Sequence, residues 1–92
     1  MNEETTDAGL VTVLMQRLST QRLPRALALK EKVDEGGLLN DIDISFLQEV
    51  LSDTDRIRPL VERHPEHQEL VARMIHLYGE ITARGLENEK QQ

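Results

Sequence analysis

Apolar residues recur with the period of an α-helix along almost the whole 92-residue chain, from Leu10 to Ile81. One face of a helix repeats at about 100° per residue, and the apolar positions follow that spacing. Strict alternation of apolar and polar residues, which is typical of a half-buried strand, is confined to residues 41–44. The pattern therefore predicts an all-α protein: a small antiparallel helical hairpin or a bundle of three to four helices.

Two prolines interrupt this pattern. Pro24 lies inside the first segment, which begins near Asp7 or Ala8, and a proline in mid-helix costs about 3 kcal/mol. Either the helix runs on with a kink, or Thr20 caps a new helix that holds Pro24 in its first turn, where the missing N–H matters less. Pro59 raises the same question for the second segment, which is either one bent helix or two short ones.

Gly36-Gly37 is the clearest break between helices. A glycine just past the last periodic residue adopts the left-handed conformation that closes a helix. Asn40 then suits the N-cap of the next helix, with Asp43 as its capping-box partner. The acidic residues that follow Asn40 resemble the start of a calcium loop, but Phe46 occupies the position where that loop needs a glycine. We therefore interpret them as an acidic helix N-terminus.

A second break occurs at His64-Pro65-Glu66, where the proline suits the first position of a helix. Gly85 is the expected terminator of that helix. We therefore expect helices over 43–63 and 65–84, packed antiparallel because the connection between them is short.

The chain is long enough for one domain only. We expect a single helical domain over 8–86, a disordered acidic N-terminus over 1–7 and a frayed C-terminus over 87–92. A hairpin alone leaves apolar stripes uncovered, so we also expect self-association, most simply as a C2 homodimer. The expected core residues are Leu14, Leu18, Leu29, Phe46, Leu47, Val50, Leu51, Ile57, Val61, Leu70, Met74, Leu77, Tyr78 and Ile81.

Composition excludes several classes of protein. The chain has no cysteine, which rules out disulfides, thiol chemistry and cysteine-ligated metals. A cysteine-free domain of this size favours a reducing compartment, so we expect a cytoplasmic protein. The N-terminus carries no basic residue before an apolar run, as a signal peptide would. No apolar run approaches the roughly 20 residues of a membrane span, and we expect no membrane contact.

The histidines do not have the spacing of a metal site. His64 precedes a proline, and His67 and His76 are nine residues apart on opposite sides of a helix. A helical zinc pair needs two ligands at i and i+4. We therefore predict no metal ligand and no cofactor, and leave open a weak site at His64 and His67.

Charge is unevenly distributed along a chain whose net charge is −6. Residues 8–33 carry a net +4, whereas residues 34–55 carry −7. We favour mutual complementarity of these segments, within one chain or between two copies. The alternative is that the basic segment docks an acidic partner such as an RNA backbone. The candidate partner-binding basic patch comprises Arg17, Arg22, Arg25, Lys30 and Lys32.

Neither DNA binding by a helix-turn-helix nor catalysis has much support. A helix-turn-helix over 26–48 would have an acidic recognition helix, which phosphates repel. No serine is close to a histidine in sequence, and no glycine-rich phosphate loop is present. We name no catalytic residue and predict a non-enzymatic protein–protein interaction module, an adaptor or regulator that self-associates. The alternative is a nucleic-acid-associated protein that uses the basic 17–32 segment.

Overall fold

The computed structural model describes residues 3–91, with side chains from residue 9 onward, and this part of the chain contains helices and no strand. The all-α prediction is confirmed. The elements are α1 (Glu3–Arg17), a π-helical turn (Leu18–Arg22), α2 (Leu23–Asp34), α3 (Asp41–Glu62), a 3-10 turn (Pro65–His67) and α4 (Gln68–Lys90).

The first three elements form one continuous helix over residues 3–34, which we call the long helix. Arg22 and Leu23 both keep right-handed helical dihedral angles, and the Leu23 N–H donates to the Leu18 carbonyl across the π turn. The helix therefore runs on, as in the first alternative for Pro24, while Pro24 also lies in the first turn of α2, as in the second. Thr20 does not cap a new helix, since its hydroxyl donates backwards to the Gln16 carbonyl at 2.7 Å.

The π turn has a packing cause. Val11 and Leu18 are seven residues apart, as are Ala26 and Val33, and all four are buried. Leu18 and Ala26 are eight residues apart. The interval between Leu18 and Ala26 is therefore one residue longer than the other two. A π turn holds more residues per turn than an α-helix, so it accommodates this additional residue and keeps both halves of the long helix facing the core.

The break at Gly36-Gly37 closes α2 as predicted. Gly36 has a φ of +92°, and its N–H donates to the Val33 carbonyl at 3.0 Å while the Gly37 N–H donates to the Lys32 carbonyl at 2.9 Å. These two bonds make a Schellman motif. A Cβ on Gly37 would lie 2.8 Å from the Lys32 carbonyl oxygen, so the position requires glycine.

The predicted capping box at the start of α3 is confirmed. The Asn40 side chain accepts from the Asp43 N–H at 2.9 Å, and the Asp43 carboxylate accepts from the Asn40 N–H at 3.1 Å. Pro59 does not break α3, which continues to Glu62 as one 22-residue helix.

The three helices form a bundle with extents of 55 × 21 × 18 Å. The longest dimension follows from the long helix, whose 32 residues span about 48 Å. α4 packs against both α2 and α3, and α1 packs against α3. The predicted antiparallel pair is observed as α3 and α4, because Ile44 shares a groove with Leu86 and Arg58 shares one with Ala72.

Eleven of the fourteen expected core residues are buried, and Leu70 and Tyr78 are partly buried. The prediction for Leu51 is wrong: it is 43% exposed. Its position at the flank of the apolar stripe of α3 turns it to solvent beside α4. Five further apolar residues are buried: Val11, Met15, Ala26, Val33 and Val71.

The predicted helix end at Gly85 is also wrong, because α4 continues to Lys90. Gly85 serves close packing: a Cβ there would lie 2.7 Å from Leu39 Cδ1. The buried Asn88 side chain donates to the carbonyls of Val33 at 2.8 Å and Gly37 at 2.9 Å.

The predicted tails lie partly within these helices. α1 includes residues 3–7 and α4 includes residues 87–90, while Met1, Asn2 and Gln92 lie outside the described residues. Disorder over 1–7 and fraying over 87–92 concern motion, and both stay predictions.

Candidate functional site

Arg22, in the predicted basic patch, connects the long helix to α3. Its Nη1 lies 3.1 Å from Glu49 Oε2 and its Nε lies 3.3 Å from Asp53 Oδ2. The Nε contact lacks hydrogen-bonding geometry and is an ion pair only. Only 19% of the Arg22 side chain is exposed, so most of this charge faces the acids of α3.

Arg25 covers the single phenylalanine of the chain. Its Cζ lies 4.4 Å from the centre of the Phe46 ring, and the Arg22 Cζ lies 5.9 Å from it. Both distances allow a cation–π interaction. Phe46 is buried, and the guanidinium of Arg25 closes the core over it.

The two lysines of the patch also meet carboxylates of the same chain. Lys32 Nζ lies 2.6 Å from Asp43 Oδ2. Burial raises the pKa of Asp43, but hydrogen bonds from the Lys32 ammonium and the Asn40 N–H outweigh it, so the net effect lowers this pKa.

Lys30 Nζ lies 2.6 Å from Asp34 Oδ2 and 3.6 Å from Glu80 Oε2. The hydrogen bond to Asp34 is the main cause of the raised pKa of Lys30.

The structure therefore brings four of the five predicted patch residues against carboxylates or a ring of their own chain, while Arg17 is exposed at the end of α1. This arrangement favours the interpretation of complementarity within one chain. An acidic partner for the patch stays a prediction.

The histidines at the α3–α4 junction gather around Glu66. Its Oε1 lies 3.5 Å from His64 Nδ1 and 3.9 Å from His67 Nε2. A hydrogen bond from its own backbone N–H is the largest cause of the lowered pKa of Glu66, and His67 and His64 add to it. His76 lies apart from this junction, with Nε2 2.9 Å from Glu80 Oε1. No group of three or more ligating side chains suited to a metal ion occurs among residues 9–91, whose side chains the structure describes.

Folding brings one serine near a histidine that is distant in sequence. Ser19 and His67 line one groove, together with Glu66, between the long helix and α4. A serine nucleophile needs a hydrogen bond to its base, and the side-chain contacts found among the described residues include none between Ser19 and His67.

Sequence reasoning missed the surface on which α3 and α4 face solvent together. Large apolar side chains there are exposed: Ile44 by 41%, Leu51 by 43%, Ile75 by 43% and Leu86 by 55%. Their helical spacing places them on one side of the pair. We call this surface the outer face; its residues are Ile44, Gln48, Leu51, Asp55 and Arg58 of α3 and Ala72, Ile75, Gly79, Thr82 and Leu86 of α4.

Two shallow grooves mark the ends of the outer face. One, of about 260 Å³, is lined by Ile44, Thr82 and Leu86 among others; the other, of about 220 Å³, is lined by Arg58, Ala72 and Ile75 among others. The sequence signal for this surface is a second set of apolar residues beside the core stripe of each helix. Together the two sets make an apolar surface wider than a small core requires.

Comparison with protein-family models, with curated proteins and with solved structures gives no match for this chain. Across the described residues, none of the helices combines the length and the apolar character that crossing a bilayer requires.

Proposed function

We propose that this protein is a non-enzymatic protein–protein interaction module, an adaptor or regulator that self-associates, and that it binds through the outer face. The observation that carries the proposal is the exposure of Ile44, Leu51, Ile75 and Leu86 on one surface. Contiguous exposed apolar side chains on a small protein mark interaction sites more often than scattered ones do. Partner helices lie readily in a groove of this kind between two helices.

The outer face is large enough for this role. Each of its helices has 22 or 23 residues and is therefore about 33 Å long. Two adjacent helices are together about 20 Å wide. The face thus offers roughly 650 Å², close to the approximately 800 Å² that each partner contributes to a standard interface.

The charges of the long helix support the same choice. Phosphate binding needs basic side chains that are available to release counterions. Arg22, Lys30 and Lys32 are engaged by acids of the same chain, so a nucleic acid would have to displace those acids. The apolar outer face has no such competitor within the chain.

The proposal is tested by Leu51→Glu, with Leu27→Glu as a matched control. Both leucines are exposed to a similar extent, 43% and 40%, but Leu27 lies on α2, away from the outer face. A tagged chain is incubated with lysate and washed at two salt concentrations, and the retained molecules are identified by mass spectrometry. We expect protein partners that persist at both salts with the Leu27→Glu chain and disappear with Leu51→Glu.

The opposite results contradict the proposal. Partners retained equally by Leu51→Glu would show that the outer face does not bind them. Nucleic acid recovered at low salt and lost at high salt would instead favour phosphate binding by the basic segment. Circular dichroism of both variants confirms that each is folded.

A further inference from the structure

We propose that the outer face binds the outer face of a second copy of this chain, with α4 antiparallel to α4 of the second copy and a twofold axis passing beside Leu51 and Gly79. The inference rests on the proposed function, which makes the outer face an interaction surface, and it names the occupant and the register. Its basis is the pattern of large and small side chains along α4.

The register of α3 against α4 places Leu51 level with Gly79. Ile44 shares a groove with Leu86, and these two positions are each seven residues from Leu51 and Gly79. At the other end Arg58 shares a groove with Ala72, again seven residues from Leu51 and Gly79. Leu51 and Gly79 are therefore the midpoint of the outer face.

A twofold axis at this midpoint makes α4 complementary to itself. Residues at equal distances on either side of Gly79 meet across the interface. Leu86 then meets Ala72 of the second copy. Ile75 meets Ala83, an exposed residue four positions after Gly79 at the border of the outer face. Each large apolar side chain faces a small one, as close helix packing requires.

Gly79 has the properties required at the axis. A Cβ there would find no atom within 4 Å, so packing within the chain does not need a glycine at this position. Glycine in mid-helix nevertheless destabilises the helix relative to alanine. Close approach of the two α4 backbones at the axis gives the glycine a role that the single chain does not.

The same operation is compatible with α3. Leu51 meets Leu51 of the second copy on the axis, and Ile44 meets the aliphatic stem of Arg58, whose charged head stays in water. At the ends of the face, Gln68 meets Lys90. These pairs do not bring like charges together, whereas Glu89, which lines the groove beside Leu86, is level with Glu69 of the second copy.

The buried area is sufficient for a specific dimer. Two faces of roughly 650 Å² bury about 1,300 Å² in total, which is within the range of about 1,200–2,000 Å² for stable interfaces. An isologous interface of this kind also closes the assembly at two copies. Any other protein partner of the outer face then competes with the second copy for the same residues.

Disulfide trapping tests the register, and the absence of cysteine in the chain gives a clean background. A single cysteine can pair with its own copy only near the twofold axis, since a disulfide needs Cα atoms within about 7 Å. We expect Leu51→Cys and Gly79→Cys to form covalent dimers at least about tenfold faster than Ser45→Cys, an exposed control on another side of α3. A mixture of Ala72→Cys and Leu86→Cys chains should form the mixed dimer faster than either chain pairs with itself.

Light scattering of the unmodified chain separates the possible failures. A mass of twice 10.5 kDa with trapping at residues 51 or 79 supports the proposal. A dimer that Leu51→Cys, Gly79→Cys and the mixed pair all fail to trap would overturn this interface while self-association stands. A mass of one chain at all concentrations, with partners still lost on Leu51→Glu, would contradict the proposed dimer but not the proposal that the outer face binds other proteins.

Discussion

The end of the bundle where α2 closes against α4 differs from the opposite end, where α3 turns into α4. We call the first end the glycine end. There the turn between α2 and α3 is held by hydrogen bonds donated by Gly36, Gly37, Asn40 and Asn88. At the second, the histidine end, neither His64 nor His67 makes a side-chain cap. The side-chain bond there from Gln68 to the Val61 carbonyl is long, at 3.5 Å.

Backbone hydrogen bonds also close the histidine end, from the His64 N–H to the Val61 carbonyl at 2.9 Å and from the His67 N–H to the His64 carbonyl at 3.0 Å. Apolar packing takes the place only of the side-chain hydrogen bonds found at the glycine end. Leu14 and Met15 of α1 are buried there with Val61 and Val71. Packing is not directional, so it tolerates small shifts that would break a hydrogen-bonded turn. We therefore expect the removal of a polar side chain to lower the free energy of unfolding strongly at the glycine end and only slightly at the histidine end.

The largest expected effect is that of Asn88→Ala. Its side chain donates to the Val33 and Gly37 carbonyls at the glycine end. The Val33 carbonyl keeps the Gly36 N–H as a donor, but loss of the two side-chain hydrogen bonds should lower the free energy of unfolding by about 2 kcal/mol. Urea denaturation measures the change. The exposed neighbouring substitution Glu87→Ala should change it by less than about 0.5 kcal/mol. Equal small effects for both would show that Asn88 does not secure this end.

Asp43→Asn should have the next largest effect, about 1.5 kcal/mol at neutral pH, through loss of charge-assisted hydrogen bonds at the start of α3. Lys32 and Asn40 lower the folded pKa of Asp43 below its ordinary 3.8. A lowered folded pKa gives stabilisation that is complete above the unfolded value and is lost as the pH falls through the folded one.

The pH dependence sharpens this prediction. The difference in unfolding free energy between the unmodified chain and Asp43→Asn should shrink as the pH falls below 3.8. Denaturation of both chains at neutral and at acid pH measures it. A difference that persists unchanged at low pH would mean that the carboxylate charge contributes nothing.

Two glycine-to-alanine substitutions should have opposite signs. Gly36→Ala places a side chain at a φ of +92° and should destabilise by about 1 kcal/mol. Gly79→Ala meets no atom within the chain and should stabilise the helix by up to about 1 kcal/mol. Thermal unfolding in dilute solution measures both. Destabilisation by Gly79→Ala under these conditions would contradict the open space at that position.

The smallest expected effect is at the histidine end. His64→Ala should change the unfolding free energy by less than about 0.5 kcal/mol, because the histidine makes no cap. Hydrogen exchange should also be faster for the amides of residues 63–68 than for those of residues 36–43. A loss as large as that of Asn88→Ala would remove the distinction between the two ends.

Sequence reasoning predicted the features whose causes lie within a few residues of each other. The conformation of Gly36 and the capping box of Asn40 with Asp43 depend on local backbone chemistry. Gly85 and Asn88 escaped prediction because their partners are distant: Asn88 bonds to Val33, 55 positions away. The sequence does not distinguish a glycine that permits close packing from a glycine that ends a helix.

The candidate site was predicted less completely. The segregation of charge was visible, but which acid meets Arg22 or Lys32 depends on how α3 lies against the long helix. Leu51 was assigned to the core because periodicity locates an apolar stripe without fixing its edge. Leu51 lies on the outer face, where an apolar residue follows the helical spacing of the core stripe although no other part of the chain buries it.

The π turn of the long helix has a consequence for insertions and deletions. The interval from Leu18 to Ala26 is one residue longer than the intervals on either side of it, and Pro24 lies within it, two residues after the π turn ends at Arg22. Deleting one residue from 19–22 would restore even spacing but leave the proline inside a regular α-helix, where it costs about 3 kcal/mol. Deletion together with Pro24→Ala would leave an uninterrupted helix. The surplus residue and the proline are therefore tolerated as a pair, and deleting both should cost less stability than deleting the residue alone.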